Sequence, residues 1–164
     1  MNLSGGTLST IAAFLSEIGL PVETGEIPKP TFLPGIHVES GILRVDPGRL
    51  SWPGDLLHEA GHLALLTERE RKQVAGDVGD DGGDELGAIA WSYAAALHLR
   101  LDPSVVFHEQ GYRGGSQSIL ENFAAGRYIG LPTLQWRGLT LDEMNARVLG
   151  VKPYPHMLRW LRVE

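Results

Sequence analysis

Two histidines four residues apart, with a glutamate beside the first, stand at His58-Glu59-Ala60-Gly61-His62. On a helix, residues i and i+4 share a face, with Cβ atoms about 6 Å apart. Two imidazoles so placed can converge on one ion at about 2.0–2.1 Å. Glu59 lies one residue round from His58, where it can stand beside the ion without binding it and take a proton from water. With six histidines in 164 residues, chance gives such a triplet in about one chain in sixty.

A helix must carry the triplet. Ser51-Trp52-Pro53-Gly54-Asp55 reads as its start, with proline tolerated in the first turn and aspartate favoured by the dipole. Leu56, Leu57, Ala60, Leu63, Ala64 and Leu66 then bury its other faces to about Leu66. Upstream, Thr7 to Ile18 is an amphipathic helix, ended by Gly19 and Pro21. The four prolines between Pro21 and Gly35 predict an irregular extended connection. Ile36–Glu39 and Ile42–Val45 alternate in period two around Ser40-Gly41, the pattern of a short hairpin. Downstream, Thr67 to Val74 predicts a short charged helix, Gly76 to Gly83 a loop, and Asp84 to Leu99 a strong Ala-rich helix. Asp102-Pro103 caps a short helix, Gly111 to Gly115 forms a loop, and Ser116 to Ala125 is helical. Leu141 to Leu149 is helical with Thr140 as cap, and Pro155 to Arg162 is a terminal helix. Trp52, Trp91, Trp136 and Trp160 read as core or helix-junction anchors.

Composition narrows the chemistry. There is no cysteine, so thiolate zinc fingers, iron–sulfur clusters and cysteine nucleophiles are excluded, and any metal must be held by His, Asp and Glu. The net charge of −6 makes nucleic acid an improbable main ligand. The longest apolar stretch, Leu86 to Leu97, is too short for a bilayer, and Met1 to Leu20 lacks a secretory pattern. The expectation is one cytoplasmic domain over residues 1–164 with no membrane partner. No Gly-x-Ser-x-Gly elbow supports serine-hydrolase chemistry.

The His58–His62 segment resembles the active-site helix of the zincin metallopeptidases. That resemblance implies zinc on His58 and His62, with Glu59 as general base. The metzincin continuation fails, since Leu65 and Glu68 stand at its Gly and His positions. Gluzincins take a glutamate from a later helix, and Glu85, 23 residues after His62, fits. Asp84, His98, His108 and Glu109 remain alternatives for the third ligand. The HExxH-then-Glu order is also similar to the repressor-cleaving bacterial metallopeptidases of the ImmA/IrrE type and to minimal zincins. The implied fold is α+β and mostly helical, with a small hairpin or sheet beside the active-site helix. Zincins carry an edge strand there that can pair with a peptide, and His37 to Val45 is the candidate.

A hydrolytic zinc site needs a donor for the developing oxyanion. Tyr112 and His108 are the leading candidates, with Tyr93 and Arg113 behind them. The acidic run Asp77, Asp80, Asp81, Asp84 and Glu85 could instead hold a cation, although its spacing is not that of an EF-hand. The expected function is a zinc-dependent hydrolase, foremost a peptidase acting on protein or peptide. The alternatives are a silent metal-binding regulatory module and a hydrolase of non-peptide amides.

Overall fold

The structure, a computed structural model, describes residues 6–76 and 82–164. It is α+β and mostly helical, with a four-stranded mixed sheet. Helix α1 (Gly6–Ile18) buries Leu8, Ile11, Ala12, Phe14 and Leu15, the face expected from their spacing. Strands β2 (Ile36–Glu39) and β3 (Ile42–Val45) form the expected hairpin. Its turn residues Ser40 and Gly41 have φ of 52° and 79°, the doubly left-handed turn that matches strand twist.

The hairpin is not at a sheet edge. β1 (Val22–Thr24) lies beside β3 and β4 (Ala75–Gly76) beside β2, so both of its strands are flanked. β1 (Val22–Thr24) falls within the proline-rich stretch expected to be irregular, and pairs parallel with β3. Pro21 has no N–H to give, but its carbonyl accepts from Leu43, and Gly25 donates to Val45, which pins the strand at both ends. On the other side β4 (Ala75–Gly76) pairs with Val38 and Glu39 of β2.

Helix α2 (Asp55–Ala64) carries the HExxH residues and packs on α4 (Gly82–His98). Leu56, Leu57, Ala60, Leu63, Ala64, Ala88, Trp91, Ala94 and Ala95 are all buried. The two helices cross at Gly61, where a Cβ would lie 2.9 Å from the Ala88 carbonyl oxygen. Arginines complete the C-terminal end of α2. Arg137 and Arg162 guanidiniums both donate to the Leu65 carbonyl, Arg71 donates to Leu66, and the Arg162 N–H donates to Ala64.

Helix α3 (Glu68–Gln73) begins on a capping box between Thr67 and Glu70. A 3₁₀ turn, Pro103–Val105, is capped by Asp102, and a second spans Tyr112–Gly114. Helix α5 (Ser116–Ala124) follows as expected. Helix α6 (Leu131–Trp136) has no counterpart in the sequence reading. It starts from Gly130, at φ 83°, where a Cβ would sit 1.9 Å from the Leu86 carbonyl oxygen.

Two of the expected helices differ, one in its start and one in being absent. Helix α7 (Glu143–Leu149) begins later than Leu141, because Asp142 and not Thr140 caps it. The Thr140 hydroxyl donates instead to His156. Residues 155–162 are not helical. Their backbone donors go across the fold, Leu158 to Leu139 and Arg162 to Ala64, while Trp160 packs edge-on to Phe14 and Trp91. Trp136 is 86% exposed and so anchors no core, and Trp52 is also exposed. Among the described residues, no helix is long and apolar enough to cross a membrane.

Candidate metal centre

His58 and His62 project from one face of α2, as their spacing requires, and Glu85 meets them from the first turn of α4. Nε2 of His58 and Nε2 of His62 are 3.2 Å apart. Glu85 places Oε1 3.4 Å from His58 Nε2 and Oε2 2.9 Å from His62 Nε2. A tetrahedral ion with ligands at 2.0–2.1 Å has ligand–ligand edges of about 3.3 Å. The two imidazole nitrogens are separated by about that edge, Glu85 reaches them through different oxygens, and one ligand atom from each residue lies within 4.8 Å of the others, so the group could hold a metal ion.

The electrostatics follow from this convergence. Hydrogen bonds from His58 and His62 hold the Glu85 carboxyl far below the usual carboxylate range, against a smaller opposing effect of burial. Burial pushes His62 down, but the Glu85 hydrogen bond and the charges of Glu59, Glu85 and Asp84 raise it overall. Glu59 is buried beside the cluster and lines a cavity of about 290 Å³. Phe32, Leu33, Ile36 and Val38 line it together with Lys29, Thr31, His37 and Gly76.

The alternative ligands are engaged elsewhere. Asp84 pairs with Arg137 at 2.7 Å, tying the start of α4 to the C-terminal end of α2. His98, at the far end of α4, packs between Phe14 and Trp160. Glu109 is exposed. Asp77, Asp80 and Asp81 of the suggested acidic cation site lie outside the described residues.

The oxyanion candidates fall behind the cluster or away from it. The Tyr112 hydroxyl is 2.8 Å from Nδ1 of His58, the ring nitrogen that does not face Glu85. Burial, then the charges of Glu85 and Asp55, pushes the Tyr112 phenol well above its ordinary value, so it stays a neutral hydroxyl. His108 Nε2 is 2.7 Å from Asp55 Oδ1, both side chains being buried, and Trp52 stacks on the His108 ring at 4.3 Å. Burial raises Asp55, with His108 partly offsetting it. Tyr93 is a core residue against Phe123, and Arg113 is exposed.

Sequence reasoning missed Asp55 and Arg137 as partners of the site residues. Asp55, His58 and His62 form an i, i+3, i+7 stripe, so helical spacing carried a signal for Asp55. Arg137 had none, since its position depends on how α6 docks. No protein-family model, curated protein or solved structure matches this chain.

Proposed function

We propose that the chain is a zinc-dependent hydrolase and, in its most economical form, a peptidase. The observation that carries this reading is the convergence of His58, His62 and Glu85, with Glu59 buried beside them. Zinc held by these three residues would supply Lewis-acid polarisation of a carbonyl and a lowered pKa for water. Glu59 takes the proton of the attacking water as its oxygen bonds to the carbonyl carbon. It then returns that proton to the amine as the C–N bond breaks. The apolar wall of Phe32, Leu33, Ile36 and Val38 beside Glu59 suits an apolar side chain next to the scissile bond.

The test is metal content by elemental mass spectrometry for wild type, His62→Ala and Glu85→Ala, followed by hydrolysis of a denatured-protein panel. About one zinc per wild-type chain, lost in both variants, is expected. A zinc-replete wild-type protein that holds none would end the reading. A panel left intact while small amides are cleaved would move the substrate away from peptides.

A further inference from the structure

Helix α7 turns its apolar side chains outward. Helix α1 buries its apolar stripe, but on α7 only Ala146 is buried. Met144, Val148 and Leu149 are between 67% and 79% exposed, and Val151 just beyond them is exposed as well. The Val151 N–H donates to the Ala146 carbonyl, which folds Val151 back along the helix end. At the other end, Gln135 of α6 both donates to and accepts from Asp142, the cap of α7. The next residue on α6 is the exposed Trp136. Single exposed apolar residues are ordinary, but five gathered around one short helix make a patch.

The charges around the patch select what covers it. Residues 142–153 hold two acidic and two basic side chains, Asp142, Glu143, Arg147 and Lys152, so this surface is neutral in a chain of net charge −6. Two copies can therefore meet there without like-charge repulsion. Glu143 and Arg147 stand one turn apart on one rim of the apolar face, paired at 3.3 Å and both well exposed. A two-fold axis across the helix runs a second α7 antiparallel to the first and keeps that rim on the same side. With the axis level with Ala146, Met144 of each copy meets Val148 of the other. Glu143 then lies about 3 Å along the helix from the second copy's Arg147, two residues' rise, within reach of an ion pair. The charge order that makes one pair within the helix thus also makes two pairs between antiparallel copies.

The area is sufficient. With about 150–250 Å² from Trp136 and less from each aliphatic side chain, the patch offers roughly 600 Å² per copy. A symmetric pair would bury on the order of 1,200 Å², the lower edge of specific interfaces.

We infer that the chain forms a two-fold dimer through α7, with Met144, Val148 and Leu149 at its centre, Trp136 beside them, and Glu143–Arg147 pairs across it. The interface carries none of the proposed metal ligands, so the dimer stands apart from the metal reading.

Sedimentation of the full chain over about 1–200 μM tests it, and a monomer–dimer equilibrium in that range is expected. Met144→Glu changes an exposed position and leaves Ala146 seated. It should weaken the dimer about 30-fold at an unchanged melting temperature. Glu143→Arg and Arg147→Glu should each associate about tenfold less tightly than wild type, because each sets like charges across the two-fold. Mixed in equal amounts, the two variants should recover the wild-type affinity, since every pair across the interface is then of opposite charge. The pair within each helix stays broken in both, so recovery can come only from contact between copies. A wild type monomeric throughout the range would overturn the proposal. So would a dimer that Met144→Glu leaves intact, or a mixture no more associated than its separate parts.

Discussion

Gly61 and Ala88 touch backbone to backbone, and a single methyl between them would lie 2.9 Å from the Ala88 carbonyl oxygen. That contact sets the distance between α2 and α4, and therefore between the two histidines and Glu85. Gly61→Ala is expected to destabilise the fold by about 1–3 kcal/mol, the usual range for overpacking a tight interior. It should also weaken zinc binding, because any separation of the helices carries Glu85 off its partners. Thermal melts with and without zinc check both effects. A variant that melts lower but keeps its zinc affinity would show that the triad tolerates a shift of α4.

Glu59 lies beside the cluster as a proton carrier in the proposed reaction. Glu59→Gln keeps the shape and removes the base. Zinc content should stay at the wild-type level while peptide hydrolysis falls about 10²–10⁴-fold. Equal turnover in the variant would remove Glu59 from the chemistry.

The Glu85–His62 pair gives the metal-free protein a pH signature. Glu85 has a depressed folded pKa, so its contribution to stability is present above its unfolded value of 4.5 and is lost as pH falls through the folded value. His62 is raised, so its contribution is complete below 6.5 and is lost as pH rises through the folded value. Both act together between 4.5 and 6.5. In the presence of chelator, the Tm advantage of wild type over Glu85→Gln should be greatest in that window and shrink above it. A gap independent of pH would show that the pair is not coupled by charge.

Asp55 and His108 form a buried pair at the foot of the helix. His108→Ala strands the carboxylate and removes the stack with Trp52. The expected cost is about 3 kcal/mol near neutral pH, as for other buried pairs broken on one side. Burial already raises Asp55, and the loss of His108 raises it further, so protonation relieves the cost. Denaturant melts should therefore show the deficit shrinking as pH falls.

Much of the candidate centre was legible because its residues lie on regular helices. The i, i+4 spacing of His58 and His62 survives folding unchanged, and Glu85 sits in the first turn of a helix whose apolar pattern is strong. The hairpin was legible for the same reason, through its period of two and its Ser40-Gly41 turn. What was not legible depends on contacts between distant segments. The parallel pairing of Val22–Thr24 comes from β3, not from any local pattern. The tail after Pro155 gives its backbone hydrogen bonds to Leu139 and Ala64, so helical periodicity there had no bearing. The Gly111–Gly115 stretch was legible as a loop, but not that it brings the Tyr112 hydroxyl to Nδ1 of His58.

The end of the histidine-bearing helix has a consequence for the order of synthesis. The Ala64 and Leu65 carbonyls are claimed by Arg137 and Arg162, and the latter gives both its backbone N–H and its guanidinium. These partners are translated roughly seventy to one hundred residues after the helix they finish. A nascent chain can wind residues 55–64 early, but it cannot complete that helix's C-terminal end until residue 162 has left the ribosome. Assembly of the centre is thereby deferred until the segment carrying Arg162 has been made, when Glu85 and the arginines can all take their places together.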